Sequence, residues 1–264
     1  MKKIGFIGCG NMGEAFLKGI INSQMVETDH IYVYDKMKKD YIKELYNVNT
    51  LNDEVEVVKN CDIIFLAVKP NVYFDVIDSI KDAVNSTKII VAMAPGISME
   101  SILDQIDNMN SKIVRTMPNL PLMVQEGCIA YAFNENVDKD EKLFFKELFE
   151  KIGVAVETKE ELFDAVIGAS GSSPAFVFMF IEAMADAGVK LGIPRAKAYK
   201  LAEQSILGSA KLALETGKHP GELKDSVCSP GGTTIDAVLE LERNGFRNAV
   251  ISAVEKCAEK SKTM

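Results

Sequence analysis

The chain has 264 residues, with 30 lysines and arginines against 38 aspartates and glutamates and a net charge of −8. Nucleic acids and anionic membranes both demand a basic face, so an acidic chain with its lysines scattered among acids argues against either partner. The five cysteines, Cys9, Cys61, Cys128, Cys228 and Cys257, are odd in number, widely spaced and without a C-x-x-C pair, which reads as reduced thiols in a cytoplasmic protein that binds no metal.

In chain order, residues 3–7 form a short apolar strand that runs straight into Gly8-Cys9-Gly10-Asn11-Met12-Gly13. Ala15, Phe16, Leu17, Ile20 and Ile21 then follow at helical spacing. A strand, glycine turn and helix in that order predict a dinucleotide site. Gly8 makes the tight turn, Gly10 lets a pyrophosphate approach the backbone, and Gly13 allows close packing of helix on strand. A cleavable leader is not expected, since its removal would destroy this first strand. A second strand, 31–34, ends in Asp35, which can accept hydrogen bonds from ribose hydroxyls and repels a 2′-phosphate. Lys36 and Lys38 can offset that repulsion. The expectation is usable NADH with some NADPH activity, and a gain for NADPH in Asp35→Ser.

Strands at 62–68, 88–92 and 112–115 alternate with helical patterns at 72–83 and 98–106, the rhythm of a parallel, doubly wound sheet. The strand ends carry Ala67-Val68-Lys69-Pro70-Asn71, Ala94-Pro95-Gly96 and Thr116-Met117-Pro118-Asn119. Each alone reads as a proline-bearing connection; three on one rim favour a ligand crevice.

Beyond about residue 160 only helical patterns remain. Ser172 or Ser173 can cap a helix with Pro174 in its first turn. Residues 175–181 are apolar on every side and best covered by a second subunit, and the longest apolar run, 174–181, is too short to span a membrane. Gly192-Ile193-Pro194 breaks the pattern, a helix over 195–215 follows, and 217–221 reads as a loop. Ser229-Pro230-Gly231-Gly232-Thr233-Thr234 then precedes a helix starting near Ile235. Two glycines, two hydroxyls and a helix start make an anion-binding loop for a small carboxylate or phosphate; a turn with an N-cap is the other reading of the same string. Asn244-Gly245 ends that helix, and Phe246, Val250, Val254 and Cys257 define a last one. The expected fold is α/β: a Rossmann-type doubly wound sheet over residues 1–160, followed by an all-α domain over 161–264 for substrate binding and dimerisation.

The residues 5–13, Ala67-Val68-Lys69-Pro70, Arg115-Thr116-Met117-Pro118-Asn119, 168–175 and 225–234 occur in an order and spacing that closely resemble 1-pyrroline-5-carboxylate reductase. The match spans nearly the whole chain, and its most specific part is the 225–234 loop. The resemblance implies NAD(P)H-dependent reduction of the cyclic imine 1-pyrroline-5-carboxylate to proline. It implies a homodimer, in some members the building block of a larger ring. It places the substrate on Ser229, Gly231, Gly232, Thr233 and Thr234, with Thr234 as the catalytic contact to the imine nitrogen. It assigns the cofactor to Gly8, Gly10, Asn11, Met12, Gly13, Asp35, Asn52, Ala67, Val68, Lys69, Pro70, Ala94 and Asn119. Hydride addition to a protonated imine needs no strong protein base, which suits a chain whose two histidines, His30 and His219, read as structural or solvated. A β-hydroxyacid dehydrogenase, whose lysine is missing from 175–181, and a non-catalytic nucleotide sensor are the competing readings.

Overall fold

The computed structural model describes residues 2–263. Eight strands, β1 (Ile4–Ile7), β2 (Ile31–Tyr34), β3 (Asn49–Thr50), β4 (Ile63–Leu66), β5 (Ile89–Ala92), β6 (Lys112–Pro118), β7 (Cys128–Phe133) and β8 (Val154–Glu157), form one sheet in the order β3-β2-β1-β4-β5-β6-β7-β8. The helices between them are α1 (Asn11–Ser23), α2 (Lys39–Tyr46), α3 (Glu54–Asn60), α4 (Tyr73–Ile80), α5 (Met99–Ile106) and α6 (Lys139–Ile152). From β3 through β6 all pairings are parallel, but β7 is antiparallel to β6 and β8 is parallel to β7. The strands expected from the sequence are all parallel, and β7 is an added antiparallel strand, where a short helical turn, Leu120–Val124, returns the chain beside β6 without a crossover helix.

Alternating strand residues feed two cores. Phe6 and Phe65 stack at 4.8 Å beneath α1 and α6, where Phe16, Phe145 and Phe149 join them. Ile7, Ile64 and Ile90 point the other way, toward Tyr73, Ile77 and Ile102 on α4 and α5. Apolar burial on both faces explains why the central strands read as continuous hydrophobic runs.

The chain then stays helical from Glu160 to Lys190, 31 residues. Within it lie α7 (Phe163–Val166), a π-helical turn (Ile167–Gly171) and α8 (Ser173–Lys190). This corrects the expected helix start at Ser172 or Ser173: Ser172 N–H bonds back to Ile167 carbonyl at 2.8 Å, so the helix enters the proline region instead of beginning there. Pro174 has no N–H for the carbonyl of Ser170 four residues earlier; that carbonyl accepts from Asn119 Nδ2 at 3.4 Å. The π-turn also keeps the helical stretch unbroken. By length and composition this stretch is long and apolar enough to cross a membrane, which the eight-residue reading of its apolar part, 174–181, did not anticipate.

Next come α9 (Arg195–Thr216), α10 (Pro220–Val227), α11 (Thr233–Arg243) and α12 (Phe246–Ser261). The expected loop at 217–221 gives way to α10 at Pro220, whose first turn is capped by His219, its Nδ1 accepting from Gly221 N–H at 3.1 Å.

Two compact units result, one holding the chain up to Ser172 and again from Lys256, the other Ser173–Glu255. The division falls about twelve residues beyond the expected boundary at 160, because α7 and the π-turn pack on the sheet: Phe163 and Ile167 are buried in the second core. In the first unit Ser261 Oγ donates to Asp164 Oδ1 at 2.6 Å, and Cys257 Sγ lies 3.0 Å from Ser172 Oγ. The second unit lacks a core of its own. Pro174 and Ala185 are its buried residues on α8, while Phe178 is 54 % and Met179 69 % exposed.

Candidate active site

The sheet order reverses at β1, which lies between β2 and β4, so a crevice opens at the carboxyl ends of β1 and β4. A cleft of about 550 Å³ occupies it, lined by Gly8 and Gly10, by Asp35, Lys36 and Met37 beyond β2, by Glu54 at the start of α3, and by Ala67, Val68 and Lys69 beyond β4. Gly8 adopts φ +84°, a conformation that glycine alone enters freely, and a Cβ there would stand 2.8 Å from the Ala67 carbonyl. A Cβ on Gly13 would crowd Ala67 Cβ at 2.9 Å. Beside Gly10 the corresponding space is open. The first turn of α1, at Asn11, Met12 and Gly13, has no side-chain cap. Free amides at a helix start, reached over a glycine with open space beside it, fit a dinucleotide pyrophosphate.

Asp35 does more than the sequence suggested. Its Oδ2 accepts from Cys9 N–H at 2.7 Å, and its Oδ1 from Met37 N–H at 2.8 Å and Lys38 N–H at 2.9 Å. The carboxylate thus ties the glycine loop to the turn after β2. Lys38 does not stand free to offset it, because its Nζ pairs with Glu14 Oε2 at 2.8 Å. Glu14 also accepts from the hydroxyls of Tyr41 and Tyr46, each at 3.0 Å. Burial works to raise the Glu14 carboxyl, but hydrogen bonds from Lys38, Tyr46 and Tyr41 outweigh it and hold the group below its ordinary value of 4.5. A carboxyl lowered by folding stabilises the fold above that value and ceases to as pH falls through the lower, folded-state pKa. Glu14→Gln should therefore lose about 1.5–3 kcal/mol at neutral pH. Its deficit in urea unfolding should shrink below pH 4.5; a deficit constant with pH would mean that the charge is immaterial.

Cys9 sits inside the glycine loop as a buried, inert thiol: burial, with Glu14 and Asp35 beside it, pushes its pKa up to about 12. All five cysteines are free.

Of the other expected cofactor residues, Asn52 is exposed and held by Lys39 Nζ at 2.7 Å, and it does not line the cleft. Glu54, two residues on, does. That position carries no sequence signal beyond being a helix-start acid. Pro70 and Ala94 lie outside the lining, at the strand ends beyond β4 and β5. Asn119 is engaged structurally, its Oδ1 accepting from Cys128 N–H at 2.8 Å and its Nδ2 directed at Ser170.

In the second unit, Gly231 has φ +66° and Gly232 N–H bonds to the Ser229 carbonyl at 3.0 Å, closing a tight turn. α11 starts at Thr233, two residues earlier than expected, with Gly232 at its N-cap and no side-chain cap. No side chain caps the amides of its first turn, and Thr234 Oγ1 makes no hydrogen bond among the described residues. The string is thus a turn with an N-cap, as the second reading had it, but the cap residue is Gly232 and neither threonine side chain caps the helix.

Residues 160–264 match the family described as pyrroline-5-carboxylate reductase dimerisation, and residues 3–96 match NADP oxidoreductase coenzyme F420-dependent. The chain is 46 % identical to pyrroline-5-carboxylate reductase of Escherichia coli over 100 % of its length and 98 % of the relative's, and 37 % identical to that of Arabidopsis thaliana over 99 % and 95 %. The chain belongs to the pyrroline-5-carboxylate reductase family. In structure it resembles the Plasmodium falciparum pyrroline carboxylate reductase with NADP bound, with a TM-score of 0.91 and 35 % identity over 99 % of this chain and 97 % of that one. The family reductases are oxidoreductases, and a C-terminal dimerisation region accounts for apolar helices left exposed in a single chain.

Proposed function

We propose that this chain reduces 1-pyrroline-5-carboxylate to L-proline with NAD(P)H, the last step of proline biosynthesis. The observation that carries the reading is the pairing of a nucleotide cleft at the β1/β4 switch point with an uncapped helix start behind a glycine turn at 229–234, inside a chain 46 % identical to a reductase of that name.

When bound, the reduced nicotinamide supplies the hydride. Backbone amides at Gly231, Thr233 and Thr234, with Ser229 and the turn-closing Gly232 beside them, hold the substrate carboxylate at the positive end of α11. Thr234 Oγ1 accepts from the protonated imine N–H, which fixes the ring and favours the charged form that accepts hydride at carbon. Holding the electrophile in place supplies most of the acceleration. No protein base is needed. His30 pairs with Asp29 at 2.8 Å and His219 caps α10, so neither histidine is poised for proton transfer.

The protein works as a homodimer joined through α8 and its neighbours, and the dimers can assemble into a ring. The free thiols suit the reducing cytoplasm.

The deciding experiment is NAD(P)H oxidation with pyrroline-5-carboxylate, run beside hydroxyacid-dependent NAD(P)+ reduction. Imine-dependent oxidation alone is the expected result. Activity with hydroxyacids alone would favour the dehydrogenase reading, and neither activity would favour a sensor.

A further inference from the structure

The ribose end of the cleft carries charges that the fold alone does not require, and their role rests on the nucleotide reading above. In a site of this topology the carboxylate ending β2 marks where the adenosine ribose lies. Around Asp35 the cleft is walled by Lys36 and Met37 on one side and by Glu54 on another. Asp35 already accepts three backbone N–H bonds, so its first task is to hold the glycine loop. Lys38 is neutralised by Glu14. Asp75 is on the α4 wall with Val72, Val76 and Ser79. Lys69 lines the cleft beyond β4 rather than beyond β2, so the charged groups left beside Asp35 are Lys36 and Glu54, and neither makes a hydrogen bond or ion pair among the described residues. Glu54 is half-buried. Besides burial, its charge is first among those that raise the Tyr34 hydroxyl, ahead of Asp53 and Asp35, which places it at the same edge of the cleft.

We infer that Lys36 and Glu54, rather than Asp35, set the choice between a free 2′-hydroxyl and a 2′-phosphate on the adenosine ribose, Lys36 favouring the phosphate and Glu54 opposing it. A phosphate entering this edge meets one cation and one anion of opposite effect. A free hydroxyl is nearly indifferent to the cation and can donate to the Glu54 carboxylate. Such a pair leaves both NADH and NADPH usable, and either charge can be removed without touching the bonds that shape the loop.

Calorimetric titration of the full-length protein with adenosine 5′-monophosphate and adenosine 2′,5′-bisphosphate tests this without turnover. Glu54→Gln should tighten the bisphosphate about tenfold and change the monophosphate less than about threefold, and Lys36→Gln should weaken the bisphosphate about tenfold with the same small change, both effects shrinking at high salt. Asp35→Asn should weaken both nucleotides alike, since it loosens the loop that both use. The ratio of kcat/KM for NADPH over NADH should follow the binding ratio in every variant. An unchanged ratio in Glu54→Gln and Lys36→Gln, with binding intact, would overturn the inference and leave the reductase reading standing. So would a shift in Asp35→Asn as large as that in Glu54→Gln. If wild type bound neither nucleotide, the cofactor reading itself would fail, and the inference with it.

Discussion

Thr234→Ala is expected to lower catalytic efficiency by about ten- to more than a hundredfold, the loss of about 1.5–3 kcal/mol for one hydrogen bond made to a charged substrate. Turnover should fall more than affinity, because the amides of Gly231, Thr233 and Thr234 still hold the carboxylate. The structure sharpens the control. Thr234 is in the first turn of α11 behind an N-cap glycine, and its hydroxyl bonds to nothing among the described residues. Its removal should leave thermal unfolding within about 0.5 kcal/mol of wild type. A loss of stability with normal kinetics would instead make the hydroxyl a structural group, and Thr234→Ser should restore most of the activity if the hydroxyl is what matters. Cofactor binding, read by fluorescence titration, should not change in either variant.

A second large effect is expected from Phe178→Asp. Phe178 and Met179 protrude from α8 while Ala185 is the residue on that helix's later turns that the chain itself covers. If a second copy buries this face, a carboxylate placed on it must be desolvated without a partner, and the subunit affinity should fall about a hundredfold or more. Light scattering at micromolar concentration should show the oligomer mass drop toward one chain. Phe178→Leu keeps the apolar contact and should retain the assembly. A wild-type monomer with full activity would show instead that the apolar face needs no cover.

The parts of this molecule that were legible in sequence are those where one local rule acts alone. Gly8, Gly10 and Gly13 sit between a strand and a helix, and each takes the place in the turn that its missing side chain predicts. The central strands announced themselves because both faces are buried. Strands β7 and β8 escaped notice since β8 is an edge strand with Val154 and Val156 exposed, and since the antiparallel return at β7 depends on a short turn that has no periodicity to read. The helical run ahead of α8 was missed for a different reason. Ser-Ser-Pro is a good helix opening taken locally, but here the lost backbone donor is made good by Asn119 from a distant strand end, a compensation invisible along the chain. The same displacement explains the site. Asn119 was recognised as important and is held as a strut, whereas Glu54, which lines the cleft, looked like any acid at a helix start.

The nucleotide-binding unit is discontinuous along the chain: after the excursion through Ser173–Glu255 it takes back the stretch from Lys256, where Ser261 is buried and bonded to Asp164, and Cys257 lies against the second core. During synthesis, then, the sheet can form early, but its surface around α7 stays open until a further ninety or so residues have been made, since chains fold from the N-terminal side as they emerge. The exposed helices of the second unit appear before that closure. A nascent chain of this protein is therefore at its stickiest late in translation, and a stop codon or a protease cut just after Glu255 would spoil the first unit while leaving every residue of the second in place.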